Sequence, residues 1–158
     1  MSESSDRPEG APLFDPEAWQ MCSSVGYLLS RAKIALTNDV EQEAAALDIT
    51  HAQATCLMML ANDRARTVTD LGREMNTDMG SVTRLVSRME KRGLVKRERS
   101  EVDRRIVELS ITPAGHAVMQ QLPALFCRVL NRRFRDFTPD EIDVLRGMLQ
   151  RVLANNSG

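Results

Sequence analysis

Seven residues between positions 80 and 91 carry side chains suited to reading a polyanion. Gly80, Ser81, Thr83, Arg84, Ser87, Arg88 and Lys91 offer small surfaces, hydroxyls and cations. Among them Val82, Leu85, Val86 and Met89 recur at i, i+3, i+4 and i+7, the apolar stripe of a single helix. The polar seven therefore share its other face. Small residues at the start of such a helix allow close approach to base edges, and hydroxyls and guanidinium groups can bond both bases and phosphates. Thr77 or Asp78 caps the helix, and an N-terminus capped by Thr77 would favour a phosphate through its dipole. A second basic set follows at once: Lys96, Arg97, Arg99, Arg104 and Arg105. A thin basic ribbon suits the minor groove, where the negative potential attracts arginine.

The elements that must position these groups are legible around them. Gly93 supplies the stop for the helix. Val107, Leu109 and Ile111 then alternate with polar residues, the period of a half-buried strand. Leu94 to Arg99 can pair with it across the polar connection from Ser100 to Arg104, giving a hairpin with a charged tip. Upstream, Thr50-His51-Ala52-Gln53 is a capping box that opens a short helix through Leu57, Met58 and Leu60. Thr67 caps another, through Val68, Leu71 and Met75. A long helix is expected from about Pro16 to Leu47. Thr112-Pro113 opens a helix that runs through Leu125 and Val129, kinked at Pro123, and Thr138-Pro139-Asp140-Glu141 caps the last one. The fold class is mainly α with a small β-hairpin wing, a winged helix-turn-helix flanked by further helices.

Composition sets the limits. The chain has 158 residues, 42% of them hydrophobic and 27% charged, enough for one compact unit with a core. Residues 1–14 read as a disordered tail rich in Ser, Pro, Glu and Gly. There is neither an apolar signal segment nor a membrane-length run, and Cys22, Cys56 and Cys127 form no close pair, so a reducing cytoplasm is the expected address. The net charge of −1 hides an asymmetry: Arg64 to Arg105 holds twelve Lys/Arg against seven Asp/Glu, and the remainder nine against fifteen. One electropositive surface on an acidic body points to nucleic acid. No Gly-rich phosphate loop, metal-ligand spacing or nucleophile elbow is present, so no cofactor, metal or catalytic residue is expected, and the protein does not read as an enzyme.

Residues 69–75 (Thr-Asp-Leu-Gly-Arg-Glu-Met), 82–86 (Val-Thr-Arg-Leu-Val) and 89–95 (Met-Glu-Lys-Arg-Gly-Leu-Val) together resemble the core of MarR-family regulators. Asp103-Arg104-Arg105, followed by Leu109-Ser110-Ile111-Thr112 and Gly115, matches that family's wing, with isoleucine as its second apolar residue. The resemblance spans about residues 18–154. It implies a homodimer, built from residues 15–48 and 112–158, that carries a DNA-binding lobe at 49–111. It implies a repressor on an inverted-repeat operator. Met79, Ser81, Thr83, Arg84 and Arg88 then face the major groove, with Thr77 at the helix start on the DNA side. Arg105, with Arg104 beside it, enters the minor groove, and Asp103 orients the wing arginine through a charge-assisted bond.

The same resemblance implies a small-molecule effector, often an aromatic carboxylate, bound near Ser24, Tyr27, Arg31 and His51. Two alternatives stand beside it. Cys22 near the start of the first helix suits a thiol-based oxidant sensor. A winged helix can also serve only as a protein-interaction module. Cys56 and Cys127 are expected to be packed, and Arg128, Arg132 and Arg135 to be solvated or paired with acids of a dimer partner.

Overall fold

The computed structural model describes residues 12–155, so most of the expected tail lies outside the described residues. The described chain is mainly helical, with a single two-stranded antiparallel sheet. It divides into two compact units, one ending at Ala35 and the other beginning at Leu36. The elements in order are α1 (Val25–Ala44), α2 (His51–Ala61), α3 (Val68–Met75), α4 (Met79–Lys91), β1 (Val95–Arg99), β2 (Val107–Ile111), α5 (Pro113–Met119), α6 (Leu122–Arg133) and α7 (Pro139–Ala154).

The first helix starts later than its apolar spacing predicts. Met21–Ser23 form a 3-10 turn, and Ser24 adopts extended backbone before α1 begins. The Ser24 hydroxyl donates to the Met21 carbonyl at 2.8 Å and accepts from the Tyr27 N–H at 3.3 Å, so a serine sets the boundary. At the other end α1 tightens into a second 3-10 turn, Ala45–Leu47, and Asp48 turns left-handed at φ 52°.

The short helices obey their caps. Thr50 and Gln53 close a reciprocal capping box on α2, and Thr67 and Asp70 close another on α3. Thr138 and Glu141 do the same for α7. Gly93, at φ +70°, takes the left-handed conformation that ends α4. The strands pair from Val95 opposite Ile111 to Arg99 opposite Val107. The single kinked helix expected after Thr112 is instead two, α5 and α6, separated at Gln120 and Gln121. Pro123 stands in the first turn of α6, where its missing N–H costs nothing, but it has no N–H with which to continue α5.

The core belongs to the second unit. Leu57 from α2, Leu71 from α3, and Val82, Val86 and Met89 from α4 are fully enclosed with Leu122 and Leu125 of α6. Each such aliphatic burial is worth about 1.5–3 kcal/mol. The apolar stripe of α4 is thus spent on the core, which fixes the face that it turns outward.

Candidate nucleic-acid interface

The outward face of α4 carries Thr83, Arg84, Ser87, Arg88 and Lys91, all exposed, with Ser81 half-buried and Met79 exposed at its start. Asp78, not Thr77, is the cap: its carboxylate accepts from the Ser81 N–H at 2.9 Å, whereas the Thr77 hydroxyl donates to the Met75 carbonyl at 3.0 Å. The expected phosphate cradle under Thr77 is therefore corrected. Bonds from the Ser81 hydroxyl and backbone hold the Asp78 carboxyl below the usual carboxylate range, so the helix start bears its own anion. Arg84 donates to the Ser81 hydroxyl at 3.0 Å, and Arg88 reaches the Arg84 carbonyl at 3.3 Å. Thr83 bonds the Met79 carbonyl at 2.7 Å, which leaves its oxygen free to accept.

The twelve basic residues between positions 64 and 105 fall into two classes. Arg64, Arg66, Arg73, Arg92, Lys96 and Arg97 each form an ion pair within the chain. Their partners are Glu74, Asp63, Asp70, Asp48, Glu98 and Glu90 in the same order. Arg84, Arg88, Lys91, Arg99, Arg104 and Arg105 form no ion pair among the described residues. The unpaired six lie on the outer face of α4 and on the hairpin, so charge is left available where a duplex would be gripped. Lys96 and Arg97, counted in the sequence as part of the basic ribbon, instead meet carboxylates of the chain, Lys96 within its own strand at Glu98 and Arg97 across to α4. Arg97 joins β1 to Glu90 and, at 3.3 Å, to Ser87.

The hairpin tip is ordered by its own backbone. Ser100 N–H donates to the Ile106 carbonyl and Ile106 N–H to the Asp103 carbonyl, each at 2.9 Å. The Asp103 carboxylate accepts from the Arg105 backbone N–H at 2.9 Å. Asp103 thus shapes the turn that presents Arg105 and does not grip its guanidinium, a correction to the expected charge-assisted bond.

The expected effector residues fall in both units. Ser24, Tyr27 and Arg31 belong to the first unit, and His51 to the second. His51 lines a cleft of about 470 Å³ with Thr37, Glu41, Gln53, Met75, Thr77, Ser81, Leu85 and Arg88. Sequence reasoning missed Thr37 and Glu41, whose place beside α4 depends on tertiary packing. Of the cysteines, Cys56 is buried, and burial pushes its thiol up to about 12. Cys22 is exposed as expected for a reactive thiol, whereas Cys127 is exposed and not packed, because it falls between the buried positions Leu125 and Val129 on the outer side of α6. The α6 arginines find their acids in the same chain. Arg128 and Arg132 bond Glu43, and Arg133 bonds Asp39. Arg135 pairs with Asp136.

The MarR family model matches residues 49–107. The chain is 32% identical over 111 residues to the HTH-type transcriptional regulator SarZ of Staphylococcus haemolyticus, an alignment covering 69% of this chain and 73% of that protein. It is 33% identical over 96 residues to the organic hydroperoxide resistance transcriptional regulator of Bacillus subtilis, covering 61% and 63%. A mutant MarR from E. coli complexed with operator DNA is similar in structure, with a TM-score of 0.73 and 26% identity, covering 81% of this chain and 92% of that one.

Proposed function

Because the chain belongs to the MarR family of DNA-binding transcription regulators, we propose that it acts as a homodimeric repressor, released from an inverted-repeat operator by a small aromatic carboxylate. The observation that carries the DNA reading is the sorting of the basic residues. Arg84, Arg88 and Lys91 on α4, and Arg99, Arg104 and Arg105 on the hairpin, are the cations left without ion pairs between positions 64 and 105. In this reading α4 enters the major groove with Met79, Ser81, Thr83, Arg84 and Arg88, while Arg105 enters the minor groove. Thr77 and Arg104 bond the flanking backbone.

Residues 15–48 and 112–158 form the dimerisation region, and 49–111 the DNA-binding lobe. Two features support pairing of chains. In the first unit Trp19, Met21, Val25 and Leu28 are exposed, and in the second α7 exposes Val144, Met148, Val152 and Leu153. The effector cleft is the one that holds His51. Its Arg88 supplies a cation for a carboxylate, and Met75, Val82 and Leu85 supply an apolar wall for a ring. Thr77, Ser81 and Arg88 belong to both the cleft and the DNA face, so an occupant would withdraw them from the duplex.

A second reading rests on exposed Cys22 and takes the chain as a thiol-based oxidant sensor. One experiment separates the outcomes. The purified chain is offered a randomised duplex pool and the retained sequences are read. An inverted repeat with half-sites about 34 Å apart supports the dimeric repressor; recovery of no motif overturns it. Release of that duplex by benzoate supports the effector assignment, and release only by an organic peroxide, lost in Cys22→Ser, supports the second reading.

A further inference from the structure

Arg92 stands just past the last turn of α4, and its side chain is tied at the surface to the α1–α2 connection and does not stand free with the unpaired set. Its guanidinium donates through Nη2 to the Asp48 carboxylate at 2.8 Å and through Nη1 to the Gln53 side-chain oxygen at 3.3 Å. Asp48 is the left-handed residue of the α1–α2 connection. Gln53 is buried, and the same oxygen accepts from the Thr50 N–H at 3.0 Å, closing the capping box of α2. One arginine therefore joins the end of α4 to two neighbouring features far from it in sequence, the start of α2 and the turn before it. The start of α2 is in turn held to α1, because the His51 backbone N–H donates to the Glu41 carboxylate.

We propose that Arg92 is a positioning residue for DNA reading. It pins the end of α4 to the start of α2, so that a displacement of the α1–α2 connection reaches α4. The inference rests on the reading of α4 as the recognition helix. Gln53 is the natural joint of the device. It belongs to the pin and also lines the cleft, so an occupant of the cleft acts on α4 through Arg92 as well as through the residues that it touches directly. The fork geometry is what the position requires: a guanidinium presents two N–H groups to two acceptors at once, which an ammonium does not reproduce.

The test uses the full-length chain. Amide exchange is followed in wild type and Arg92→Leu. In Arg92→Leu, amides of Thr50 to Gln53 and of Arg88 to Leu94 are expected to exchange at least fivefold faster together, while α7 is unchanged. Faster exchange at only one of the two places overturns the pin. Binding to the duplex enriched by the wild type is then measured against salt. Arg92→Leu is expected to bind about tenfold more weakly with the same salt slope, because Arg92 touches no phosphate. A slope lowered by roughly 0.9 makes Arg92 a direct phosphate contact and overturns the proposal. Gln53→Glu keeps the capping box and offers Arg92 a carboxylate, so it is expected to retain affinity. Failure of the wild type to enrich any duplex counts against the function proposed above, and the exchange measurement still decides the role of Arg92.

Discussion

Gly115, in the first turn of α5, passes directly beneath the carbonyl of Leu94: a methyl group added at Gly115 would overlap that oxygen and the Ile111 side chain. The Leu94 carbonyl also accepts the Thr112 N–H at 3.1 Å, so it cannot move aside without breaking that bond. Gly115 is what lets α5 dock against the base of the hairpin.

Gly115→Ala is therefore expected to destabilise the fold by about 1–3 kcal/mol or more, the range of overpacked cores. Urea unfolding checks it. A midpoint within error of the wild type contradicts the close approach.

Arg84→Ala and Arg105→Ala are each expected to weaken binding to the enriched duplex sharply and to leave the oligomeric state unchanged. They should differ in kind. A base-reading Arg84 costs about 1–3 kcal/mol of discrimination against other sequences. Replacing Arg66, already paired with Asp63, should change duplex affinity little. Polarisation titrations against the enriched and scrambled duplexes distinguish these cases.

Asp70 accepts from the backbone N–H groups of Arg66 and Thr67, and these bonds with the Thr67 hydroxyl hold its carboxyl below the usual 3.8. A carboxyl depressed in the folded state stabilises the fold above its unfolded value and loses that contribution as pH falls through the folded one. The acid limb below about pH 4 should accordingly be shallower in Asp70→Asn. Thermal melts from pH 2 to 6 give the comparison, and parallel curves would refute it.

Cys56 is expected to stay unlabelled by a thiol reagent in the folded protein and to react once denaturant is added, because its thiol is enclosed and its pKa raised to about 12. Peptide mass mapping reads each cysteine separately. Labelling of Cys56 at the rate of Cys22 under native conditions would show that the core around Leu57 opens readily.

What the sequence made legible follows from the range of each interaction. The stripe of Val82, Leu85, Val86 and Met89 and the capping boxes at Thr50 and Thr138 are local signals, and both the helices and the outward face of α4 follow from them. The neighbours Thr77 and Asp78 were harder to separate, since both types cap helices and only the Asp78 bond to Ser81 decides between them. Pro123 marks a disruption in either case, but whether it kinks one helix or starts another depends on packing. The fastenings Arg97 to Glu90 and Arg92 to Asp48 join residues seven and 44 apart, and no periodicity marks such pairs. Such pairs are part of why all twelve cations between positions 64 and 105 counted alike in the sequence, although six of them meet a carboxylate of the same chain.

That division separates search from grip. At a distance a duplex feels the charge distribution of the whole surface, to which the segment from Arg64 to Arg105 contributes a net of +5 whether or not its cations are paired. On contact the unpaired cations exchange a solvent shell directly for a phosphate, whereas the paired ones must first give up a carboxylate. The paired half can then drift in position or number and change how fast any DNA is found, while the unpaired half decides how long the correct DNA is kept. Encounter rate and residence time are thus adjustable independently, through different arginines of the same lobe.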